Sequence, residues 1–156
     1  MEKAICFTGH RDMQSEDKVK IQLYSLVEEY IKEGYTTFLA GGARGFDNLA
    51  AEVVANLREK YPQVKLVIAL PFPSHYRHEK NWNSDEIKTY KQVLKNADEV
   101  VTLFKEYKSG AYFKRNRYLV DNTAICIAYY RRNGSGTAYT VNYANACKKK
   151  VINLAQ

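Results

Sequence analysis

The sequence predicts a single α/β domain over residues 1–156 with a Rossmann-like, three-layer fold: a mostly parallel sheet with helices on both faces. Strand-like and helix-like segments alternate along the whole chain, which implies right-handed crossovers between parallel strands. The chain has 156 residues, of which 46% are hydrophobic and 26% are charged, a balance that suits one globular domain. No internal repeat, low-complexity tract or linker divides it.

Each predicted element has a typical residue pattern. Short apolar or β-branched runs predict strands, and the run 64–70 is apolar almost throughout, as expected for a strand covered on both faces. The predicted strands are 4–8, 36–40, 64–70, 100–104, 124–130 and 151–154. Apolar side chains at helical spacing, with glycine or proline near the ends, predict the helices. Their apolar positions run over 19–31, 49–57 and 87–97, with Ser84 or Asp85 as the start of the third helix, and the last two helices cover 115–122 and 136–147.

The net charge of +7 comes from the last third of the chain. Residues 105–150 hold ten Lys and Arg but two Asp and Glu, whereas residues 1–104 are almost balanced. This excess is compatible with a solvated basic face, with an anion site for phosphates, or with a surface for nucleic acid.

Several features predict a cytoplasmic protein without a membrane partner. The longest apolar run, 65–72, is much shorter than the roughly 18 residues that span a bilayer, and the N-terminal sequence lacks a signal-peptide core. The three cysteines, Cys6, Cys126 and Cys147, are far apart and odd in number. They are therefore expected to be reduced thiols.

The turn after the second predicted strand, GGARGFD, is a candidate anion site. Ligands bind such sheets at the carboxyl ends of the strands, and glycines let a backbone approach a phosphate at a helix N-terminus. Arg44 would add a charged contact and Asp47 would accept from ribose hydroxyls, unless Asp47 is only a helix N-cap. The candidate residues are Gly41, Gly42, Ala43, Arg44, Gly45 and Asp47.

The NGSGT sequence after the fifth predicted strand is a second turn of this kind. Its glycines and hydroxyls fit a phosphate cradle, although a tight turn with a Ser or Thr cap is the simpler interpretation. The candidate residues are Gly134, Ser135, Gly136 and Thr137.

Other candidates follow the remaining strands or precede the fifth. Gly9, His10 and Arg11 follow the first strand, Pro71 and Trp82 follow the third, and Arg115 and Asn116 open a short helix. His10 would bind the ligand or act as an acid or base, the arginines would bind phosphate, and Trp82 would stack on a base. The alternatives are simple exposure for His10, surface charge for Arg115 and Asn116, and covering of the sheet edge for Trp82. His75, His78 and Glu79 are too few ligands for zinc, so no metal site is predicted.

Taken in order, several strings resemble the YpsA-like branch of the Smf/DprA–Lonely Guy (SLOG) superfamily. They are ICFTGHR, AGGARGFDNLAAEVV, LPFP followed by Trp82, NADEVVTL, FKRNRYLVDNT and YYRRNGSGTAYTVNYA. The resemblance implies a Rossmann-like fold that binds nucleotides or nucleotide-derived ligands, including NAD- or ADP-ribose-like molecules. It also implies that a homodimer is possible.

Two branches of that superfamily supply the alternatives. Lonely Guy enzymes are phosphoribohydrolases with a catalytic Glu in PGGxGTxxE, and the matching position here is Thr140. A hydroxyl does not replace a carboxylate general base, so the resemblance favours a binding protein, a sensor or a sequestering protein, over an enzyme. The DNA-processing protein DprA binds single-stranded DNA and shares GGARGFD, RNR and SGT with this chain. A nucleoside-monophosphate glycosidase and a single-stranded DNA binder therefore remain alternatives, and no cofactor is expected beyond the nucleotide-type ligand.

Overall fold

Six parallel strands form one sheet in a computed structural model that describes residues 3–79, 81–132 and 136–155. The strand order is β4-β3-β2-β1-β5-β6, and each neighbouring pair is parallel. The strands are β1 Ala4–Gly9, β2 Thr37–Ala40, β3 Lys65–Leu70, β4 Glu99–Thr102, β5 Ile125–Tyr129 and β6 Lys150–Asn153. The predicted Rossmann-like α/β sheet is confirmed.

Helices cover both faces of this sheet. They are α1 Glu16–Lys32, α2 Phe46–Lys60, α3 Tyr76–Glu79, α4 Ser84–Asn96, α5 Ala111–Asp121 and α6 Gly136–Ala146. Because strand side chains alternate between faces, Ile5 and Phe7 join the larger core with α1, α2 and α4. Cys6 points to the other face and packs with residues of α5 and α6. In the described part of the chain, no helix has the length and apolar character needed to cross a bilayer.

The start of α5 differs from the prediction by four residues. The helix begins at Ala111, after Gly110, whose φ of 82° closes a turn in which the Ala111 N–H donates to the Lys108 carbonyl at 3.0 Å. Its buried residues include Ala111, Arg115 and Leu119, which are spaced by four. An arginine in the buried stripe hides the helical pattern, since sequence patterns treat arginine as exposed. The one-turn helix α3 is a further element that the prediction lacks.

The strand order reverses between β1 and β5, which are paired from Ile5 and Ile125 to Gly9 and Tyr129. β1 lies inside the sheet. From β1 the chain adds β2, β3 and β4 in order on one side, and then adds β5 and β6 on the other side. In doubly wound sheets the crevice at such a reversal, outside the carboxyl ends of the strands, is where ligands bind.

Candidate functional site

A cavity of about 300 Å³ lies at this reversal point. Four segments that are distant in sequence line it: the end of β1, the turn between β2 and α2, the first half of α5, and the segment after β5. Its lining residues are Thr8, Gly9, His10, Arg11, Ala43, Asp47, Arg115, Asn116, Arg132, Gly136 and Thr137. We call it the switch-point cavity.

His10 connects three of these segments. Its N–H donates to the Tyr129 carbonyl at 3.1 Å, and its carbonyl accepts from the Phe46 N–H at 3.2 Å. Its Nε2 accepts from the Arg131 N–H at 2.8 Å, which requires that the proton of the neutral ring be on Nδ1. Burial, followed by the charges of Arg132 and Arg131, lowers the pKa of His10. His10 is therefore a neutral imidazole that presents an N–H donor.

Three buried side chains at the cavity have polar groups without a partner. Thr8, His10 and Thr137 are 7%, 3% and 6% exposed, and all three line the cavity. Among the described residues, neither threonine hydroxyl nor His10 Nδ1 makes a hydrogen bond, and none of these atoms is sealed from solvent. Buried polar groups are nearly always paired, so unpaired ones facing a cavity indicate that water or a ligand completes them.

Gly136 and Thr137, the first two residues of α6, line the same cavity. Gly136 is the first residue of α6, and a Cβ at this position would meet no heavy atom of the described structure within 4 Å. The N-terminal end of a helix carries a partial positive charge that favours anions. Arg132 is exposed at the cavity rim and adds a positive charge.

Asp47 and Arg115, two further lining residues, are both buried next to Gly41. Asp47 is 6% exposed, as is Arg115, whose Nη1 donates to the carbonyls of Gly41 and, at 3.5 Å, of Ala69. Burial raises the pKa of Asp47 to about 6, although Arg115 and the backbone N–H groups of Ala43 and Gly41 favour its charged form.

A side chain at Gly41 would crowd both of these residues. A Cβ at Gly41 would lie 2.9 Å from Asp47 Oδ2 and 3.0 Å from Arg115 Nη1. Arg115 Nε also donates to Asn116 Oδ1 at 2.8 Å, which leaves the Asn116 amide nitrogen for other partners. Arg115 is therefore a buried structural cation as well as a lining residue.

Arg44 lies outside the switch-point cavity. Its guanidinium bonds with Glu79 and Glu86 at 3.4 Å each, contacts Asn81 at 3.3 Å, and lies 4.9 Å from the centre of the Trp82 ring. Trp82 in turn donates to Glu79 at 2.8 Å. The structure brings Arg44 and Trp82 together, but in a separate polar cluster.

The other predicted site residues in the described part of the chain lie against protein backbone or side chains and not at the cavity. Gly42 and Gly45 do not line the cavity; a Cβ at Gly45, where φ is 80°, would lie 2.2 Å from the Arg11 carbonyl oxygen. Pro71 is buried, and its carbonyl accepts from the Phe104 N–H at 3.1 Å. Gly134 and Ser135 fall outside the described residues.

Sequence reasoning missed two lining residues, Thr8 and Arg132. Thr8 lies near the end of β1, directly before the predicted site residue Gly9, and Arg132 directly precedes the NGSGT turn. For both residues, the sequence signal for a place in the site was their position at the carboxyl end of a strand. Within the described ranges, no group of three or more His, Cys, Asp or Glu residues is placed to hold a metal ion.

Comparison with known proteins agrees with this architecture. A family model described as the YspA SLOG family matches residues 5–154. The chain belongs to the YspA SLOG family. Similar proteins include the uncharacterized SPbeta prophage-derived protein YoqJ of Bacillus subtilis, 34% identical over 81% of this chain and 80% of that protein. The UPF0398 protein YpsA of Bacillus subtilis is 27% identical over 86% of this chain and 79% of its own length.

Two solved structures of DNA processing protein A share the fold. The protein from Helicobacter pylori, described by its single-stranded DNA binding mode, superposes with a TM-score of 0.69 at 18% identity, over 98% of this chain and 65% of that one. The protein from Streptococcus pneumoniae gives a TM-score of 0.68 at 14% identity, over 96% and 49%. This chain thus spans less than two thirds of either, and at such identities the likeness concerns the fold alone.

Proposed function

We propose that this protein binds a nucleotide or nucleotide-derived ligand in the switch-point cavity and senses or sequesters it. The observation that carries the proposal is the set of unpaired polar groups on Thr8, His10 and Thr137, in side chains that are more than nine-tenths buried. A binding site for a polar small molecule has this form: a preformed concavity with a few fixed donors and acceptors.

The positive groups of the cavity suit the phosphate of such a ligand. The first turn of α6 and Arg132 would bind the phosphate, with Gly136 leaving room for it. The His10 Nδ1–H and the Asn116 amide would contact the sugar or base. The candidate ligands are nucleoside monophosphates and the larger NAD- or ADP-ribose-like molecules expected from the family resemblance.

Thr140, at the position of the Lonely Guy glutamate, supports binding without hydrolysis. It is fully buried, and its hydroxyl donates to the Gly136 carbonyl at 3.0 Å, so it is turned into its own helix. Among the described residues that line the cavity, Asp47 is the one carboxylate, and a glycosidase would depend on it. Cytoplasmic location and a homodimer both remain predictions.

The first experiment measures thermal shifts with AMP, GMP, ADP, NAD, ADP-ribose and a short single-stranded DNA, followed by chromatography of the recovered ligand. A ligand at about 100 times its dissociation constant adds about 2.7 kcal/mol to the free energy of unfolding. A stabilising nucleotide that is recovered intact supports the proposal. A cleaved one would favour the glycosidase, and no shift with any nucleotide would contradict nucleotide binding.

Two variants locate the site. Gly136→Leu adds a large side chain at a lining residue where a Cβ meets open space, so binding should be lost with the fold intact. Arg132→Gln should weaken binding about tenfold or more, since a charged hydrogen bond contributes roughly 1.5–3 kcal/mol. Arg131→Gln is the matched control, because the Arg131 guanidinium lies over the Tyr129 ring, 5.7 Å from its centre, and Arg131 does not line the cavity.

A second candidate function, binding of single-stranded nucleic acid, is favoured by the outer surface of α5 and α6. Phe113 is 49% exposed and packs 4.6 Å from the Tyr139 ring centre, while Arg117 Nε donates to the Tyr139 hydroxyl at 2.6 Å. Exposed aromatic rings beside cations are typical of surfaces on which bases stack.

Fluorescence polarisation with a labelled single-stranded oligonucleotide tests this second function. Affinity should fall steeply when salt is raised from about 50 to about 200 mM, and Phe113→Ala should weaken it by roughly 1–3 kcal/mol per stacked base. Ile21→Ala is the matched control, since Ile21 is 70% exposed on α1. Equal losses of affinity for the two variants would exclude the α5–α6 surface as the site of nucleic-acid binding.

A further inference from the structure

Two buried cysteines lie side by side at the centre of the sheet. Cys6 of β1 is the direct register partner of Cys126 of β5, and both are free thiols. They are 0% and 1% exposed and belong to the same hydrophobic cluster, so both side chains point to the same face of the sheet. Neither cysteine lines the switch-point cavity.

The spacing of paired strands suits a covalent bond between these two residues. Neighbouring strands lie about 4.8 Å apart, which is within the Cα separation of roughly 4.4–6.8 Å that a disulfide bridges. The two thiol groups also act on each other. Cys126 lowers the pKa of Cys6 although burial opposes this change, and Cys6 together with burial raises the pKa of Cys126. The two sulfur atoms therefore meet without a change of strand register or of side-chain face.

Closing this bond strains the sheet. A disulfide holds its two Cβ atoms about 3.8 Å apart, which is less than the strand spacing of about 4.8 Å. Bond formation therefore draws β1 toward β5 at this level. Strained disulfides are more readily reduced than relaxed ones, and such labile bonds are typical of regulatory sites.

The layer that covers the two cysteines is small. Helices α5 and α6 supply it, with Leu119, Val120 and Ala144 in the same cluster as the thiols. The larger core, with buried residues of α1, α2 and α4, lies on the opposite face of the sheet. Segments with few buried apolar contacts open locally without global unfolding. A small molecule can therefore reach the thiols when the α5–α6 layer opens.

We propose that Cys6 and Cys126 form a reversible disulfide across the centre of the sheet, which gives the protein a reduced and an oxidised state. The oxidant is a small-molecule disulfide such as oxidised glutathione. One cysteine thiolate attacks a sulfur of the oxidant and releases one glutathione thiolate. The other cysteine thiolate then attacks the protein sulfur of this mixed disulfide and releases the second glutathione thiolate. The two protein protons pass to the released thiolates, so two protein thiols are oxidised and one glutathione disulfide is reduced.

The oxidised state reaches the switch-point cavity through β1. Thr8 is two residues after Cys6, so it lies on the same face of the strand, and it lines the cavity. Its register partner on β5 is Ala128, which is two residues after Cys126. Drawing the strands together at the cysteines therefore shifts Thr8 relative to the rest of the cavity lining. This consequence does not depend on which ligand the cavity binds.

Treating the Cys147→Ser variant with oxidised glutathione tests the inference, because this variant lacks the exposed thiol. After unfolding and alkylation, mass spectrometry should show that both remaining cysteines are protected and that one pair of peptides is joined through Cys6 and Cys126. Reduced glutathione should restore both thiols. Cys126→Ala in the same background is the matched control, and it should form no internal disulfide.

A further variant tests access to the thiols. Leu119→Ala removes packing above them, so the disulfide should form about tenfold faster or more. Leu57→Ala is the matched control, since Leu57 is equally buried in the core on the opposite face, and it should change the rate less. In nuclear magnetic resonance spectra, the backbone amide signal of Thr8 should shift on oxidation, whereas the signals of the edge strand β4 should not.

The outcomes that contradict the proposal are distinct. Two thiols that are still free after oxidation, in both the Cys147→Ser protein and its Leu119→Ala derivative, would overturn it. A disulfide that reduced glutathione does not open would overturn its reversibility. An unshifted Thr8 signal in the oxidised protein would overturn the connection to the cavity. If the Leu119→Ala derivative does not fold, the Cys147→Ser protein decides alone.

Discussion

Measuring stability against pH for the wild-type protein and Asp47→Asn tests the buried carboxyl directly. Burial raises the pKa of Asp47 from 3.8 to about 6 in the folded protein, while Arg115 only partly opposes this rise. A carboxyl whose pKa is higher in the folded state holds its proton more tightly there. The folded state is therefore stabilised at low pH, and this stabilisation is lost as the pH rises from about 4 to about 6. A difference of about two between the folded and unfolded pKa values corresponds to about 3 kcal/mol in the free energy of unfolding.

Urea unfolding followed by circular dichroism, at several values from about pH 4 to about pH 7, gives the free energy of unfolding of both proteins. Asparagine does not ionise, so the wild-type value minus the variant value isolates the titration of Asp47. That difference should fall by about 2 kcal/mol over this range. Lost hydrogen bonds add an offset that is the same at each pH. A difference that stays flat, or that grows with pH, would refute a raised pKa for Asp47.

Three other substitutions test the structure around the site. Gly9→Ala should destabilise the fold by about 1–3 kcal/mol in urea unfolding, because a Cβ there would lie 2.5 Å from the Phe46 side chain; wild-type stability would contradict this packing. Burial lowers the pKa of His75 to about 3, so its contribution to stability is present above about pH 6.5 and is lost as the pH falls. His75→Gln should therefore lack about 3 kcal/mol of the wild-type loss between about pH 7 and about pH 4, and an unchanged acid sensitivity would exclude His75 as its source. Arg44→Ala should leave nucleotide affinity in calorimetry within about twofold, since Arg44 lies outside the cavity; a tenfold loss would place Arg44 at the ligand.

The sheet and the edge that carries the cavity could be predicted from local signals. Apolar runs such as 64–70 and the glycine-containing turns after β1, β2 and β5 each have a pattern that is visible in one segment. Because parallel strands bring their carboxyl ends to one edge, a correct strand order by itself places these turns near one another.

The roles of the arginines could not be predicted in this way. The sequence predicts a charged ligand contact for Arg44 and phosphate binding or surface charge for Arg115. The fold brings Arg44 to Glu79 and Glu86, and it buries Arg115 near Asp47. The partners in each case are distant in sequence, and only the assembled fold decides which cation meets which anion. The burial of Asp47 near Arg115 could not be predicted for the same reason, because Arg115 is distant from it in sequence.

The central position of β1 has a consequence for how the two halves of the sheet are held together. Strands β2 to β4 lie on one side of it and β5 and β6 on the other, so every strand-to-strand connection between the halves passes through β1. Beyond the end of the strand, His10 continues this connection through hydrogen bonds to Phe46 on one side and to Tyr129 and Arg131 on the other. A ligand that contacts both α6 and His10 would therefore add a further connection between the two halves of the sheet. Its presence would slow hydrogen exchange of backbone amides in both halves together, including strands that it never touches.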